Sequence, residues 1–389
     1  MKKVLVMLLS LVVVIGCFAG LTACAKDDVF KVGVIHIGDP ADGAGYSYTH
    51  DLGIQAMQAE LRLRDDQIVR KINVADDDNA AIRAAIEACI AEGCDIIFTT
   101  SYGYMDTTAA LAEEYPDVIF SHGTGYKSNE TNFNNYFGRI YQSRYLAGVV
   151  AGLNMSLGGN AGYVAAFTDE LAETASGINA FALGIQAVNP EATLYVKSLN
   201  SWYDPTNEKD FATALIETNN CEVIAQHCDT ANPMIAAKEK GKYGVGYNSD
   251  MSTTSAGDSV LTSVVWNWGV YYTAATKAAM EGKWAEFMAN GGKEYYSSYA
   301  DGICSIVKTS LDEKELAYVA AVEKLFNEGT WDVFSGKVLS FSYDETAKTA
   351  TATPVESALL KNDNTPAGVV DDGVIKGTMN YLVKGVVKA

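Results

Sequence analysis

Seven short segments of this 389-residue chain collect aromatic rings, carboxylates and amides. The first is Asp39-Pro-Ala-Asp42-Gly-Ala-Gly-Tyr46-Ser-Tyr-Thr-His50, followed by Ser101-Tyr102-Gly-Tyr-Met-Asp106 and Gly123-Thr-Gly-Tyr126. Later come Asn200-Ser-Trp202-Tyr-Asp204, His227-Cys-Asp229, Asn248-Ser-Asp250 and Trp266-Asn-Trp268. Flat π-faces stack on a flat ligand for about 0.5–1.5 kcal/mol each beyond the area they bury. A carboxylate that accepts ring N–H groups adds about 1.5–3 kcal/mol per charge-assisted bond. This set suits a planar heterocycle with N–H donors, with or without a sugar. The candidate ligand contacts are Asp42, Tyr46, Tyr102, Asp106, Trp202, Asp229, Asn248, Asp250 and Trp266.

Turnover chemistry finds no comparable set. GxSxG, GxGxxG and GxxxxGK[ST] are absent, and His227 and Cys228 point to opposite faces if their strand continues. The four histidines, His36, His50, His122 and His227, are scattered singly, and no CxxC pair occurs. No metal, cofactor or catalytic group is therefore expected, and His227 reads as a hydrogen-bonded structural histidine. The formal charge of −19 repels phosphate backbones, which excludes nucleic acid as a partner.

The segments fall where strands should end. Strand-like runs at 32–37, 68–74, 96–100 and 118–122 alternate with helical patterns at 48–61, 79–93 and 106–114. The alternation restarts with a helix at 143–157. Strands follow at 161–166, 193–199, 223–226, 243–247 and 261–265, with helices at 174–188, 208–218, 232–240, 270–281 and 312–327 between and after them. Near-continuous apolar strands in βαβ order predict parallel sheets covered on both faces, hence two similar α/β units. In such sheets ligands sit beyond the carboxyl ends of the strands. A Thr/Gly/Asp-rich tail follows, with a hairpin predicted near 337–343 and packed at the periphery.

The amino terminus has its own logic. Lys2 and Lys3 precede an apolar run at 4–15, too short for the ~18–20 residues that span a bilayer, and Leu21-Thr-Ala-Cys24 follows. That tetrapeptide resembles the bacterial lipobox, which implies a cleaved signal peptide (1–23), acylation of Cys24 and a short tether (24–30). The five remaining cysteines, Cys89, Cys94, Cys221, Cys228 and Cys304, are odd in number and read as buried free thiols.

Cys24 joins Gly33-Val-Ile-His-Ile-Gly38, Asp42-Gly-Ala-Gly-Tyr-Ser-Tyr-Thr-His-Asp51 and Phe98-Thr-Thr-Ser-Tyr-Gly-Tyr-Met-Asp106. With them stand Arg144-Tyr-Leu-Ala-Gly-Val-Val-Ala-Gly152, Gly177-Ile-Asn-Ala-Phe-Ala-Leu-Gly184, Asn200-Ser-Trp-Tyr-Asp-Pro205 and Gly246-Tyr-Asn-Ser-Asp-Met251. Together they resemble the BMP (basic membrane protein) family, the substrate-binding lipoproteins of ABC importers. The resemblance implies a type I periplasmic-binding-protein-like α/β fold, with two Rossmann-like lobes of parallel sheet joined by a three-crossover hinge. Lobe 1 would take 31–139 and 267–295, and lobe 2 would take 140–266 and 296–389. It implies a monomer without a cofactor, anchored outside the cytoplasm only by lipid, that binds a purine nucleoside or nucleobase and docks on an ABC permease and its ATPase. Tyr46 and Trp202 would sandwich the base, with Asp42, Asp106, Asp229 and Asn248 lining the cleft. The family's nucleoside binders usually carry Asp where Asn248 stands and Lys where Trp266 aligns, so the ribose contacts differ here. A sugar or autoinducer-type binding protein on the same fold is the alternative. An enzyme acting on nucleosides lacks its nucleophile or metal set.

Overall fold

The computed structural model describes residues 29–357 and 359–389, so the leader peptide and Cys24 lie outside the described residues. The first α/β unit runs β1 (Val32–Ile35), α1 (Gly45–Leu61), β2 (Ile68–Lys71), α2 (Asn79–Ala91), β3 (Ile96–Thr99), α3 (Met105–Glu114), β4 (Ile119–Gly123) and β5 (Phe133–Gly138). Helix α4 (Ile140–Leu153) leads to the second: β6 (Asn160–Ala165), α5 (Ala172–Val188), β7 (Thr193–Ser198), α6 (Pro205–Asn219), β8 (Cys221–Gln226), α7 (Asn232–Glu239), β9 (Tyr243–Asn248) and β10 (Val260–Trp266). The chain then makes α8 (Gly269–Met280), the short α9 (Trp284–Phe287), β11 (Glu294–Ser297), β12 (Cys304–Ile306) and α10 (Glu313–Glu328). It ends with β13 (Lys337–Asp344), β14 (Thr349–Glu356), α11 (Asp372–Gly377) and β15 (Val386–Lys388).

Two sheets result. The six-stranded sheet is ordered β11-β5-β4-β3-β1-β2, and every neighbouring pair is parallel. The seven-stranded sheet is ordered β12-β10-β9-β8-β6-β7-β15, parallel except where β12 meets β10. The chain passes between the sheets three times, after β5, β10 and β11. Strands β1 (Val-Gly-Val-Ile) and β3 (Ile-Ile-Phe-Thr) are buried at every position, as strands covered on both faces must be.

Helices α4 and α5 form the densest contact of the second lobe, and both glycine-spaced motifs of the sequence serve it. A Cβ on Gly148 would lie 2.2 Å from the Phe181 carbonyl oxygen, and one on Gly184 2.1 Å from the Tyr145 carbonyl oxygen. Only glycine lets the two backbones approach so closely. The buried α4 carries Arg144, whose Nη1 donates to the Gln226 carbonyl (2.6 Å) and whose guanidinium lies 3.8 Å from the Tyr247 ring centre.

Four strands escape the sequence pattern. Strand β5, Phe133-Asn-Asn-Tyr-Phe-Gly, carries two asparagines, a residue type depleted in strands. Asn134 is nonetheless fully buried, donating Nδ2 to Tyr271 Oη (2.7 Å) and to the Gly292 carbonyl (2.6 Å). The others, β11, β12 and β15, are too short to show a period and owe their form to the edges they join. The predicted hairpin is present as β13 and β14, although the tail beyond it is not merely peripheral: β15 extends the second sheet beside β7. All five described cysteines are free and buried.

Candidate functional site

The carboxyl ends of both sheets face one cleft. Its inner part is a cavity of about 90 Å³ lined by Tyr46, Asp76, Ser101, Tyr102 and Thr124 from the first lobe and by Glu173, Trp202, Asp229 and Tyr247 from the second. It opens into an outer chamber of about 560 Å³ that shares Asp76, Tyr102, Thr124, Glu173 and Trp202 with it. That volume is in the range of small-molecule sites.

Tyr46 lies in the first turn of α1, which begins three residues earlier than its hydrophobic period suggests. Its hydroxyl donates to the Thr100 carbonyl (2.6 Å) and its ring stands edge-on to His50 (4.3 Å, 77°), so the ring plane is fixed. Trp202 sits in the loop after β7, half-buried, edge-on to Phe167 at 5.6 Å. Its carbonyl accepts the backbone N–H of Asp229 (3.2 Å), which joins the two second-lobe loops. Asp229 Oδ1 accepts from Asn248 Nδ2 (3.0 Å). Asn248 is wholly buried in a left-handed conformation (φ 69), and its own carbonyl accepts from Thr49 Oγ1 of the first lobe (3.0 Å). It therefore orients Asp229 and bridges the lobes.

Burial pushes the carboxyls of both Asp229 and Glu173 up to about 7. Glu208 adds to the rise at Asp229, and Arg144 tempers that at Glu173. Asp229 still has Oδ2 available, and the Glu173 carboxyl has no hydrogen-bond partner among the described residues. Among the described residues, the inner cavity thus presents three acids, Asp76, Glu173 and Asp229, and no lysine or arginine. Such a lining accepts hydrogen bonds from N–H and O–H donors and repels phosphate.

Of the nine candidate contacts, Tyr46, Tyr102, Trp202 and Asp229 meet in the cavity, and Asn248 supports it from behind. Trp266 stops one residue short: it is stacked on Trp268 (4.2 Å, 15°), 5% exposed, with Nε1 donating to Tyr247 Oη (3.2 Å). Asp42 is exposed on a one-turn 3-10 helix, Pro40–Asp42, outside the lining. Asp106 pairs at the surface with Lys127 Nζ (2.7 Å). Asp250 caps a short turn, accepting from Ser252 N (3.0 Å) and Oγ (2.6 Å). His227 is structural, with Nδ1 2.9 Å from Tyr163 Oη.

Two lining acids were not singled out from the sequence. Asp76 opens an Asp-Asp-Asp run that reads as a helix cap. Asp78 alone caps α2, by accepting from Ala80 N and Ala81 N, while Asp76 accepts from Ser101 Oγ (2.6 Å) at the cleft. Glu173 stands in the first turn of α5, in the strand-end segment Thr168-Asp-Glu-Leu-Ala-Glu173 after β6. Its acidity was the available signal.

The lobes touch at Gly45. A Cβ there would lie 2.1 Å from the Asp229 carbonyl oxygen, and its φ is +83. A Gly45→Ala variant is expected to lose affinity by tenfold or more, because the methyl wedges the cleft. The left-handed strain itself costs only about 1–2 kcal/mol of stability. Calorimetric titration beside a thermal melt separates the two effects; an unchanged affinity would mean that the bound state does not bring these loops together.

Comparison with known proteins places the chain. A model of the Bmp family, described as "ABC transporter substrate-binding protein PnrA-like", matches residues 30–332. A purine-binding protein of Brucella abortus is 39% identical over 264 residues, covering 67% of this chain and 72% of its own. The Haloferax volcanii protein named "Putative ABC transporter glucose-binding protein TsgA13" is 34% identical over 301 residues, covering 77% and 73%. The solved structure of an ABC transporter solute-binding protein from Conexibacter woesei superposes with a TM-score of 0.61 at 17% identity, over 78% of this chain and 98% of that one, and shares its fold. Two lobes, three crossovers and a cleft at the strand ends thus accompany a match spanning most of the sequence, and the chain belongs to the Bmp family of PnrA-like ABC transporter substrate-binding proteins.

Proposed function

We propose that this protein captures a purine base or nucleoside between its lobes and delivers it to an ABC permease with its ATPase. The observation that carries the reading is the inner cavity, which offers aromatic faces from both lobes, Tyr46 and Trp202, with three carboxyls and, among the described residues, no cation beside them. The base would lie between the rings, its N–H groups donating to Asp229 Oδ2 and Glu173, while any ribose extends into the outer chamber. The name of the Brucella relative supports this ligand class. Lobe 1 takes 31–139 and 267–295, and lobe 2 takes 140–266 and 296–389, so the ligand bridges two bodies. Binding favours closure only through contacts that the open form lacks. The protein works as a monomer outside the cytoplasm, without cofactor or turnover. Acylation of Cys24 anchors it; among the described residues no helix is long and apolar enough to cross a membrane.

The name of the Haloferax relative favours a second reading, a hexose, since aromatic faces also stack pyranose rings. Calorimetry with adenine, guanine, hypoxanthine, their nucleosides and glucose decides. Heat with at least one purine and none with glucose is expected, and the reverse pattern overturns the proposal.

A further inference from the structure

The family match ends at residue 332, yet the chain continues through β13, β14, α11 and β15, and α11 reaches the cleft. This segment is fixed to the second lobe. Strand β15 pairs with β7, the Asn179 side chain of α5 donates to the Tyr381 carbonyl (2.9 Å), and its Oδ1 accepts from Val383 N (2.8 Å). From that base α11 extends over the hinge, where Ile375 and Lys376 wall the outer chamber.

The contact at the hinge is specific. Arg139 is the single residue between β5 of the first sheet and α4 of the second lobe, and its backbone (φ −77, ψ 60) belongs to neither strand nor helix. Its N–H donates to the Ser297 carbonyl (2.8 Å), which joins the first crossover to the third. Its guanidinium grips Asp372 of α11 with two bonds, Nε to Oδ1 at 3.0 Å and Nη2 to Oδ2 at 2.5 Å. Beside it, Tyr296 on β11 is approached by both Arg139 (5.4 Å) and Lys376 (4.8 Å). A two-bond fork fixes orientation as well as distance. It stands on the residue that links the two lobes and absorbs the change of backbone direction.

We propose that the carboxy-terminal segment is a tie on the hinge: through Asp372 it holds Arg139, and with it the lobes, in the arrangement seen here, where they touch at Gly45 and Asp229. Asp372 is a positioning residue and touches no ligand. The inference rests on the reading of the cleft as a binding site that closes, and it adds a determinant of affinity outside the family-matched region.

The test uses the full chain in a Cys17→Ser, Cys24→Ser background, spin-labelled at Glu113→Cys and Thr218→Cys, two exposed positions on opposite lobes. The five described native cysteines are buried and stay unlabelled. Without ligand, Asp372→Asn and Arg139→Gln should each shift the interlobe distance distribution to longer values. Each should weaken binding of whichever purine or sugar the wild type takes by about 3- to 10-fold, as expected of a two-bond pair at a partly exposed site. The double variant should lose no more than either single one. Arg139→Lys, which keeps the charge but not the fork, should behave like Arg139→Gln and guards against a misfolded variant. Distance distributions identical to wild type overturn the tie. If no purine binds the wild type, the functional proposal falls, while the ligand-free distances still judge the tie.

Discussion

Replacing Trp202 by alanine should weaken ligand binding by roughly 30- to 150-fold, equivalent to about 2–3 kcal/mol of lost stacking and apolar burial. The protein should remain folded, because Trp202 belongs to a loop at the cleft and touches Phe167 at its edge, outside the buried cores of either sheet. Its backbone carbonyl, which accepts the Asp229 N–H, survives the substitution, so Asp229 keeps its place. Tyr46→Phe is the informative companion. It retains the ring but removes the bond to the Thr100 carbonyl, so it should cost far less than Trp202→Ala. Titration of both variants with the wild-type ligand checks this, and a Trp202→Ala protein that binds as tightly as wild type would remove the sandwich from the mechanism.

The second large effect is a pH-dependent stability that belongs to two carboxyls. Burial raises Asp229 and Glu173 to about 7, whereas in the unfolded chain they titrate near about 4. Between those values the folded protein holds protons that the unfolded chain has released. Their contribution to stability therefore falls as pH rises from about 4 to about 7 and is flat above that. Both groups face a cavity that water can enter, which limits the cost to about 1–2 kcal/mol each rather than the full value of the shift. The buried His50, His122 and His227 act in the opposite sense, since burial lowers their pKa values and protonating them as pH falls costs stability. The clean measurement is thus a difference. An Asp229→Asn, Glu173→Gln double variant should melt above the wild type at pH 8, with the gap closing towards pH 5, while the histidines cancel between the two proteins. A gap that does not change with pH would refute the assignment.

Much of the fold was legible in the sequence because parallel strands buried on both faces leave continuous apolar runs, as in β1 and β3. The amphipathic helices around them announce themselves by spacing. What was not legible is where edges and bends fall. Strand β5 hides behind asparagines whose amides find partners only in other segments, and β15 exists because β7 offers an open edge. The glycine-spaced runs of α4 and α5 were visible as motifs, but their purpose, a backbone-to-backbone helix crossing, appears only in the packing.

The site divides in the same way. Residue types at strand ends point to a flat ligand with hydrogen-bond donors, because parallel α/β sheets place those ends together whatever the details. Sequence alone therefore carries the class of fold, the location of the cleft and the aromatic pair Tyr46 and Trp202. Tertiary structure decides which neighbours actually face the ligand space. Trp266 is absorbed by a stack with Trp268, Asn248 is spent on Asp229, Asp106 is spent on Lys127, and Asp76 and Glu173 enter from segments that read as helix caps or starts. The physical reason is that a side chain's direction within a loop is set by the long-range partners it meets. Those partners are remote in sequence, so local spacing does not encode them.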